Sequence, residues 1–515
     1  MTEDLGRLHE RAAETRVAVV GGGIGGLVAA LEFAKVGMAV TVFEAAERPG
    51  GAIRSGEVDG IRLDLGAESY ATRGGHVRAL VEELGLADFL VEPAAGAGGA
   101  WVAGLPGGQA APLPKGGILG IPANPFAPDV RGVIGWRGAW RAYLDRIKPV
   151  LTIGRDDSLG HLVRSRLGDA VLSRLVAPVT SGVYSAHPDD IDPDVAAPGL
   201  NGALTKTGSL LGAVDLLMHE RRQRATAPGS AVQGLRGGMG TLVDALVAEL
   251  AGRGVEVRSG TPVTALERDD ERWAVVNATA PDDATTAEAA PEPAAGDIPD
   301  PASSDPASPD APERFDVVVV ATEETAARRL LSTHADGLAP EPPRPGPVVH
   351  VATLVLDAPE LDAAPRGTGV LTVPGSFRAK ALTHATAKWG WVKDAAGPGR
   401  HVVRVSFGAQ DDEPATAGLG QDDAARLALE QASALLGVPL GDDRLRGFRL
   451  ERFTQSQPAA TIGRKQAAQD ARERIRSVPG LGCVGAWLAG TGLAQVVPDA
   501  IAEAERLRRD ALWRE

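Results

Sequence analysis

One run near the start of the chain constrains its fold more than any other: Val17-Ala-Val-Val-Gly-Gly-Gly-Ile-Gly-Gly26, then an apolar helical stretch, then Val40-Thr-Val-Phe-Glu44. The order reads strand, glycine turn, helix, strand, acid. Gly21, Gly23 and Gly26 form GxGxxG, in which the first glycine permits a tight turn, the second lets backbone approach a pyrophosphate, and the third lets helix pack on strand. Ile24, Gly25 and Ala45 fall inside the same cradle. Glu44, ending the second strand, can accept both ribose hydroxyls of an adenosine, a geometry that a 2′-phosphate would repel, so NADP is disfavoured. The expectation is a dinucleotide site.

At 515 residues the chain exceeds one ordinary core, and 44% hydrophobic residues suffice to fill two domains. No uninterrupted apolar run reaches the ~18 residues of a membrane span, and the N-terminus lacks the hydrophobic region of a signal peptide. A cytoplasmic protein without a transmembrane segment is expected. The single cysteine, Cys483, excludes an internal disulfide and a thiolate metal cluster, and no metal is expected. Of the formal charge of -14, nine acids fall in residues 279–313, which hold no Lys or Arg. That Ala/Pro/Asp/Ser stretch reads as a disordered acidic insertion between two strands, Trp273-Ala-Val-Val276 and residues 314–321. With neither a basic block nor an excess of positive charge, nucleic acid is not an expected partner.

Strand patterns recur at residues 254–263, at the unbroken valines of 315–321 and at Leu481-Gly-Cys-Val-Gly-Ala-Trp487, the last followed by Gly490-Thr-Gly-Leu493 and a helix over 500–513. Nucleotide-binding pieces thus occur at both ends and in the middle. Residues 100–230 carry helical patterns and 348–408 alternate like antiparallel strands. No HExxH, CxxC or GxSxG is present.

Glu47-Arg-Pro-Gly-Gly-Ala-Ile-Arg54 resembles the second FAD motif of the amine-oxidase superfamily, which implies that Arg48, Gly50 and Gly51 lie along the FAD diphosphate and ribityl chain. Asp157-Ser-Leu-Gly-His-Leu-Val-Arg-Ser-Arg-Leu-Gly-Asp-Ala-Val-Leu-Ser-Arg-Leu-Val-Ala-Pro-Val-Thr-Ser-Gly-Val-Tyr184 resembles, more specifically, the protoporphyrinogen/coproporphyrinogen oxidase family of haem biosynthesis. Further matches are Leu113-Pro-Lys-Gly116, Gly234-Leu-Arg-Gly-Gly-Met-Gly-Thr-Leu242, Gly367-Thr-Gly-Val-Leu-Thr-Val-Pro374 and Ala381-Leu-Thr-His-Ala-Thr-Ala-Lys-Trp389. The resemblance implies an α/β fold: a discontinuous Rossmann-like FAD/NAD(P)-binding domain with an inserted α+β substrate domain. The segments would be 1–95, 231–345 and 456–515 for FAD, with 96–230 as the helical part and 346–455 as the antiparallel sheet of the substrate domain.

It also implies noncovalent FAD, with Gly66, Ala67, Glu68 and Ser69 near its flavin half, the Val263 backbone at the adenine end, Gly485 at a strand end, and Thr491, Gly492 and Leu493 in the turn beside the isoalloxazine ring. Relatives continue that turn with Pro-Asp-Cys, whereas Ala494-Gln-Val-Val497 precedes Pro498-Asp499 here. Either the helix starts a turn late or Val496 and Val497 take the contact. Phe453 stands where relatives have Trp. Cys483 lies inside a strand, which suits a small core thiol.

The implied reaction is six-electron oxidation of a porphyrinogen, with reduced flavin reoxidised by molecular oxygen to give hydrogen peroxide. Orientation and a dry pocket do most of the catalysis, so no catalytic residue is singled out. Coproporphyrinogen III carries four propionates and protoporphyrinogen IX two; the absence of a membrane segment favours the first and keeps the second as the alternative. Lys115, Arg137, Lys380 and Lys388 are the candidate propionate ligands, with Arg131, Arg141 and Arg378 beside them in sequence, while His161 and His384 read as structural. A flavin amine oxidase, a carotenoid desaturase and a non-catalytic FAD-binding protein remain the other readings, and transient contact with other haem-pathway enzymes stays open.

Overall fold

The computed structural model describes residues 2–96, 98–148, 157–224, 231–269, 271–277 and 313–513. The acidic insertion, apart from Glu313, lies outside the described residues.

Five short strands form a parallel sheet: β1 (Arg16–Val20), β2 (Ala39–Phe43), β3 (Glu256–Arg258), β4 (Val317–Val320) and β5 (Leu481–Cys483), in the order β3-β2-β1-β4-β5. Pairing is parallel throughout. Sheets of this kind bury both faces, which is why their strands read as near-continuous valine. Val17 and Val19 pack with α1 (Ile24–Ala34), α2 (Gly240–Gly252) and α3 (Leu493–Leu512), while Ala18 and Val20 point the other way, toward Trp273, Phe315, Leu331 and Trp487. Every residue of α1 is buried, between the sheet and α3.

The sequence pattern predicts one strand over 314–321. The chain instead breaks at Asp316, because its two halves pair in different sheets. Arg314–Phe315 runs antiparallel to Arg272–Asn277, and β4 joins β1. Asp316 fixes the handover by accepting the Arg16 backbone N–H at 2.8 Å and pairing with Arg272 at 3.2 Å. The Trp273 to Phe315 pairing therefore holds the two ends of the acidic segment side by side.

A second sheet has seven strands in the order Leu445–Thr454, Val348–Asp357, Arg400–Phe407, Ala381–His384, Gly369–Thr372, Ala100–Leu105 and Gln109–Pro112. The helical patterning read over 100–230 does not hold at its start, where residues 100–112 supply two of these strands. Ala-Trp-Val-Ala-Gly-Leu lacks the period-2 alternation that marks a strand, and its pairing with Gly369–Thr372 is decided by a partner more than 260 positions away. The helix Gln421–Leu436 covers one face, over Leu382, Val403, Val405 and Phe407. Arg404 alternates onto the opposite face, toward the parallel-sheet unit.

The remaining helices form their own cluster. Ser158 caps Leu159–Leu167 by accepting the His161 N–H at 3.2 Å. Buried Asp145 accepts Arg166 Nε at 2.5 Å and Leu211 N at 2.9 Å, tying that helix to Leu210–Arg224. At the C-terminus, α3 begins at Leu493, immediately after Gly492 with φ 117, and runs across Pro498. The helix therefore neither starts a turn late nor waits until residue 500. The backbone bond lost at Pro498 is offset by burying Val496, Val497, Ala500, Ala504 and Leu507 against the parallel-sheet unit. No helix among the described residues is long and apolar enough to cross a membrane.

Candidate functional site

Two glycine turns lie against each other at the C-terminal end of the parallel strands. Gly21 has φ 111, and a Cβ there would fall 2.8 Å from Ala321 O; at Gly26 it would fall 2.0 Å from Gly21 O. Both contacts need glycine. Gly23 differs: with φ −70 at the N-cap of α1, its Cβ would meet nothing within 4 Å. It borders open space in front of a helix N-terminus, where backbone N–H groups and the helix dipole favour phosphate. The second turn crosses here, with Gly50 N donating to Gly22 O at 2.8 Å and a Gly51 Cβ lying 3.3 Å from Gly23 Cα. Ile24 is a core side chain, and Gly25 makes room for Val496, so any role of these two at the cofactor is through backbone.

Glu44 stands across the first turn, accepting Gly22 N at 2.6 Å and Ala46 N at 2.8 Å. Its backbone binds Arg258 O and Thr261 N, which brings the chain leading to Val263 beside it. Ala45 and Arg48 are exposed on the same rim. The cradle fits a dinucleotide: open at Gly23, closed elsewhere by glycines, and ended by a carboxylate.

Residues 66–69 lie along the second turn, Ala67 N donating to Ala52 O at 3.0 Å, and a Cβ on Gly66 would come within 2.1 Å of that same oxygen. Glu68 is held in an ion triad: Lys388 Nζ is 2.6 Å from Oε1 and Arg404 Nη1 is 2.9 Å from Oε2. Burial would raise its pKa, but the charges of Lys388 and Arg404 outweigh burial and hold it at about 2. Arg404 also donates to Leu65 O at 3.1 Å and to Gly66 O. Nearby Asp64 accepts Met239 N through both oxygens, at the start of α2, and burial pushes its pKa up to about 6. Ser69 continues the same stretch, half-buried.

The last turn has three glycines in the left-handed half of φ, Gly485, Gly490 and Gly492. The Gln495 amide lies across Gly490; with its nitrogen on Thr491 O at 2.8 Å, its oxygen accepts Arg73 Nη2 at 3.3 Å. Cys483 is buried in β5 beneath this turn.

A cavity of about 250 Å³ is lined by Leu113, Pro114, Gly116, Leu175, Val183 and Tyr184, among others. Two stretches separated by some sixty positions, both singled out in the sequence, thus build one apolar slot. Burial raises the Tyr184 pKa, against the opposing charges of Arg73 and Arg221. Of the four candidate ligands, Lys115 is exposed between two lining residues, and Arg137 is exposed on Pro128–Tyr143. Lys388 is committed to Glu68. Lys380 is half-buried and donates to Ser185 Oγ at 2.6 Å. His384 sits on the helix-covered face, 3.0 Å from His401, and burial and His401 hold its pKa down to about 4; His161 is exposed. Sequence reasoning missed Arg404, Arg73 and Ser185. Arg404 had a signal, a lone charge in Val402-Val-Arg-Val405; the other two had none.

The profile described as flavin containing amine oxidoreductase matches residues 24–507. The chain belongs to this family. Its cofactor is FAD, and it is an oxidoreductase. Among curated relatives of this flavin oxidoreductase, coproporphyrinogen III oxidase of Bacillus subtilis (strain 168) is 28% identical over 514 residues, covering 96% of this chain and 97% of the relative. The enzyme of that name from Mycobacterium bovis is 29% identical over 488 residues, covering 93% and 94%. In three dimensions, a crystal structure from Exiguobacterium sp. 255-15, provisionally named protoporphyrinogen oxidase, superposes with a TM-score of 0.76 at 24% identity over 96% of this chain and 99% of the other. Putrescine oxidase with bound putrescine gives 0.60 at 16% identity over 97% and 99%. Both structural likenesses speak for the fold.

Proposed function

We propose that this flavin oxidoreductase converts coproporphyrinogen III to coproporphyrin III in haem biosynthesis, in the cytoplasm, removing six electrons and passing them to oxygen with release of hydrogen peroxide. The observation that carries the reading is the apolar slot between residues 113–122 and 175–184, with Lys115 exposed between two of its lining residues. An apolar tetrapyrrole macrocycle with anionic arms needs that pairing of apolar wall and peripheral cation. The length over which relatives named coproporphyrinogen III oxidase match supports it.

FAD, held without a covalent bond, supplies the hydride acceptor when bound. The chain's own groups bind and orient. Gly21, Gly23, Gly50 and Gly51 receive the diphosphate, Glu44 the ribose, and the Val263 backbone the adenine end. Residues 66–69, stiffened by Arg404, and 490–493 at the start of α3 face the flavin half. In this reading residues 96–230 and 346–455 together supply the substrate side. Lys388 leaves the set of propionate ligands, because its charge is already spent on Glu68. No side chain is needed as a strong base, since the pyrrole N–H proton can pass to water at the open side.

Purified yellow protein should release peroxide and porphyrin fluorescence with coproporphyrinogen III, faster than with protoporphyrinogen IX, after correction for autoxidation. Preference for protoporphyrinogen IX would move the enzyme to a two-propionate substrate. Silence with both, despite bound FAD, would overturn the reading and return the amine-oxidase and non-catalytic alternatives.

A further inference from the structure

Lys380 is unlike the other withdrawn lysines of this chain. Lys35 and Lys388 each sit within 2.6 Å of a carboxylate. Lys380 has no carboxylate at ion-pair distance among the described residues, and the acid it feels is the exposed Asp412. Burial pulls its pKa down to about 8. An ammonium has three donors, and one is used, on Ser185 Oγ at 2.6 Å. A charge half withdrawn from water, with donors to spare, is left for water or for an anion to meet.

What surrounds it shows where that anion would come from. Ser185 is buried, has φ 54, and follows Tyr184 directly, so it lies at the end of the segment that lines the apolar slot. Its hydroxyl passes the contact on, donating to Gln455 Oε1 at 2.9 Å, and Gln410 N holds its carbonyl at 2.8 Å. Gln455 directly follows the strand Leu445–Thr454 and keeps the alternation of Glu451 and Phe453. Both of these touch Arg54, Glu451 Oε2 at 2.7 Å and the Phe453 ring at 5.1 Å, just past the second glycine turn. The lysine is thus linked, through Ser185, to the end of the strand that carries Glu451 and Phe453 toward Arg54. Gln455 is exposed, which leaves an approach open.

We propose that Lys380, Ser185 and Gln455 form a seat for one carboxylate arm of the substrate, and that this seat makes the enzyme prefer a porphyrinogen with more carboxylates. The inference rests on the proposed function. The carboxylate takes the free ammonium donors, Ser185 orients the amine, and Gln455 guards the entrance. Lys380 acts in binding and specificity, not in the redox step.

The test uses full-length holoenzyme and Lys380→Met, with Lys380→Arg as the conservative variant. Two readouts are taken: turnover of coproporphyrinogen III and protoporphyrinogen IX, and equilibrium binding of coproporphyrin III against its uncharged tetramethyl ester, by porphyrin absorbance. In Lys380→Met the KM for coproporphyrinogen III should rise by about 30-fold with kcat nearly unchanged, and coproporphyrin III affinity should fall by about as much, a typical loss when a buried charge partner is truncated. Ester binding should not move, and Lys380→Arg should recover most of the loss. Should Lys380→Met fail to fold, Ser185→Ala carries the same split at a smaller size. Unchanged coproporphyrin III binding in a variant that keeps its FAD and melting temperature overturns the seat, as does equal loss for acid and ester. If wild-type enzyme oxidises neither porphyrinogen, the proposed function fails, while the acid-versus-ester comparison still reads the seat.

Discussion

Arg404 and Glu68 meet across 336 positions of chain, with Nη1 2.9 Å from Oε2, while the same guanidinium grips the carbonyls of Leu65 and Gly66. One side chain of the second sheet thereby fixes the stretch that runs along the second glycine turn. Replacing Arg404 by Met leaves two carbonyls and half of a buried carboxylate without partners, a loss of about 3–5 kcal/mol. Arg404→Met should melt well below wild type and carry less flavin per protein, measured by calorimetry and by flavin absorbance. Arg404→Lys should recover only part, since an ammonium cannot span three acceptors in one plane. A wild-type melting temperature in Arg404→Met would contradict this.

The two carboxylates of this region pull stability in opposite directions with pH. Glu68 falls from 4.5 to about 2 on folding, so its contribution is complete above pH 4.5 and is lost as the pH drops through 2. Asp64 rises from 3.8 to about 6, so the folded protein takes up its proton first, and acidification from 6 to 3.8 stabilises it through this group. In Asp64→Asn that gain is absent. The stability difference between wild type and Asp64→Asn should shift toward wild type by up to about 3 kcal/mol between pH 7 and pH 4, read from denaturant titrations at each pH. A constant difference across that window would show that Asp64 is not shifted.

What the sequence made legible was local. The run from Val17 to Glu44 is covalently close, so the glycines and the acid could be placed from spacing alone, and the valines of 317–320 announce a strand buried on both faces. The strands at 100–112 were not legible, since Ala100-Trp-Val-Ala-Gly-Leu105 has a weak pattern and gains its order from Gly369–Thr372. Glu68 and Lys388 were both singled out, one for the cofactor and one for the substrate, yet they neutralise each other at 2.6 Å. Pairings over hundreds of positions leave no periodicity to read. For the same reason Ser185 was invisible as the partner of Lys380.

Cys483 is the chain's single cysteine and lies buried in β5, its thiol pushed far above the ordinary range by burial. A thiol that does not ionise does not react. Native protein should therefore resist a thiol reagent over hours at pH 8, and the protein in denaturant should consume one equivalent at once. Rapid native labelling would mean that the sheet opens at this edge.

Gly23 and Gly26 separate cofactor binding from folding within one motif. A methyl on Gly26 lands 2.0 Å from Gly21 O, an overlap of a fixed Cβ with backbone that no rotamer relieves. Gly26→Ala should be destabilised by about 3 kcal/mol or more whether or not flavin is present. At Gly23 the added methyl meets no protein atom within 4 Å, and φ −70 suits alanine, so apoprotein carrying Gly23→Ala should melt as wild type does. The methyl then occupies the space through which a diphosphate reaches the N-terminus of α1. FAD affinity should fall by about tenfold or more, measured by titrating deflavinated protein, since one lost charge-assisted contact is of that order. Equal FAD binding in wild type and Gly23→Ala would mean that the diphosphate does not pass over this turn. A lowered apoprotein melting temperature would mean that Gly23 is a folding residue after all.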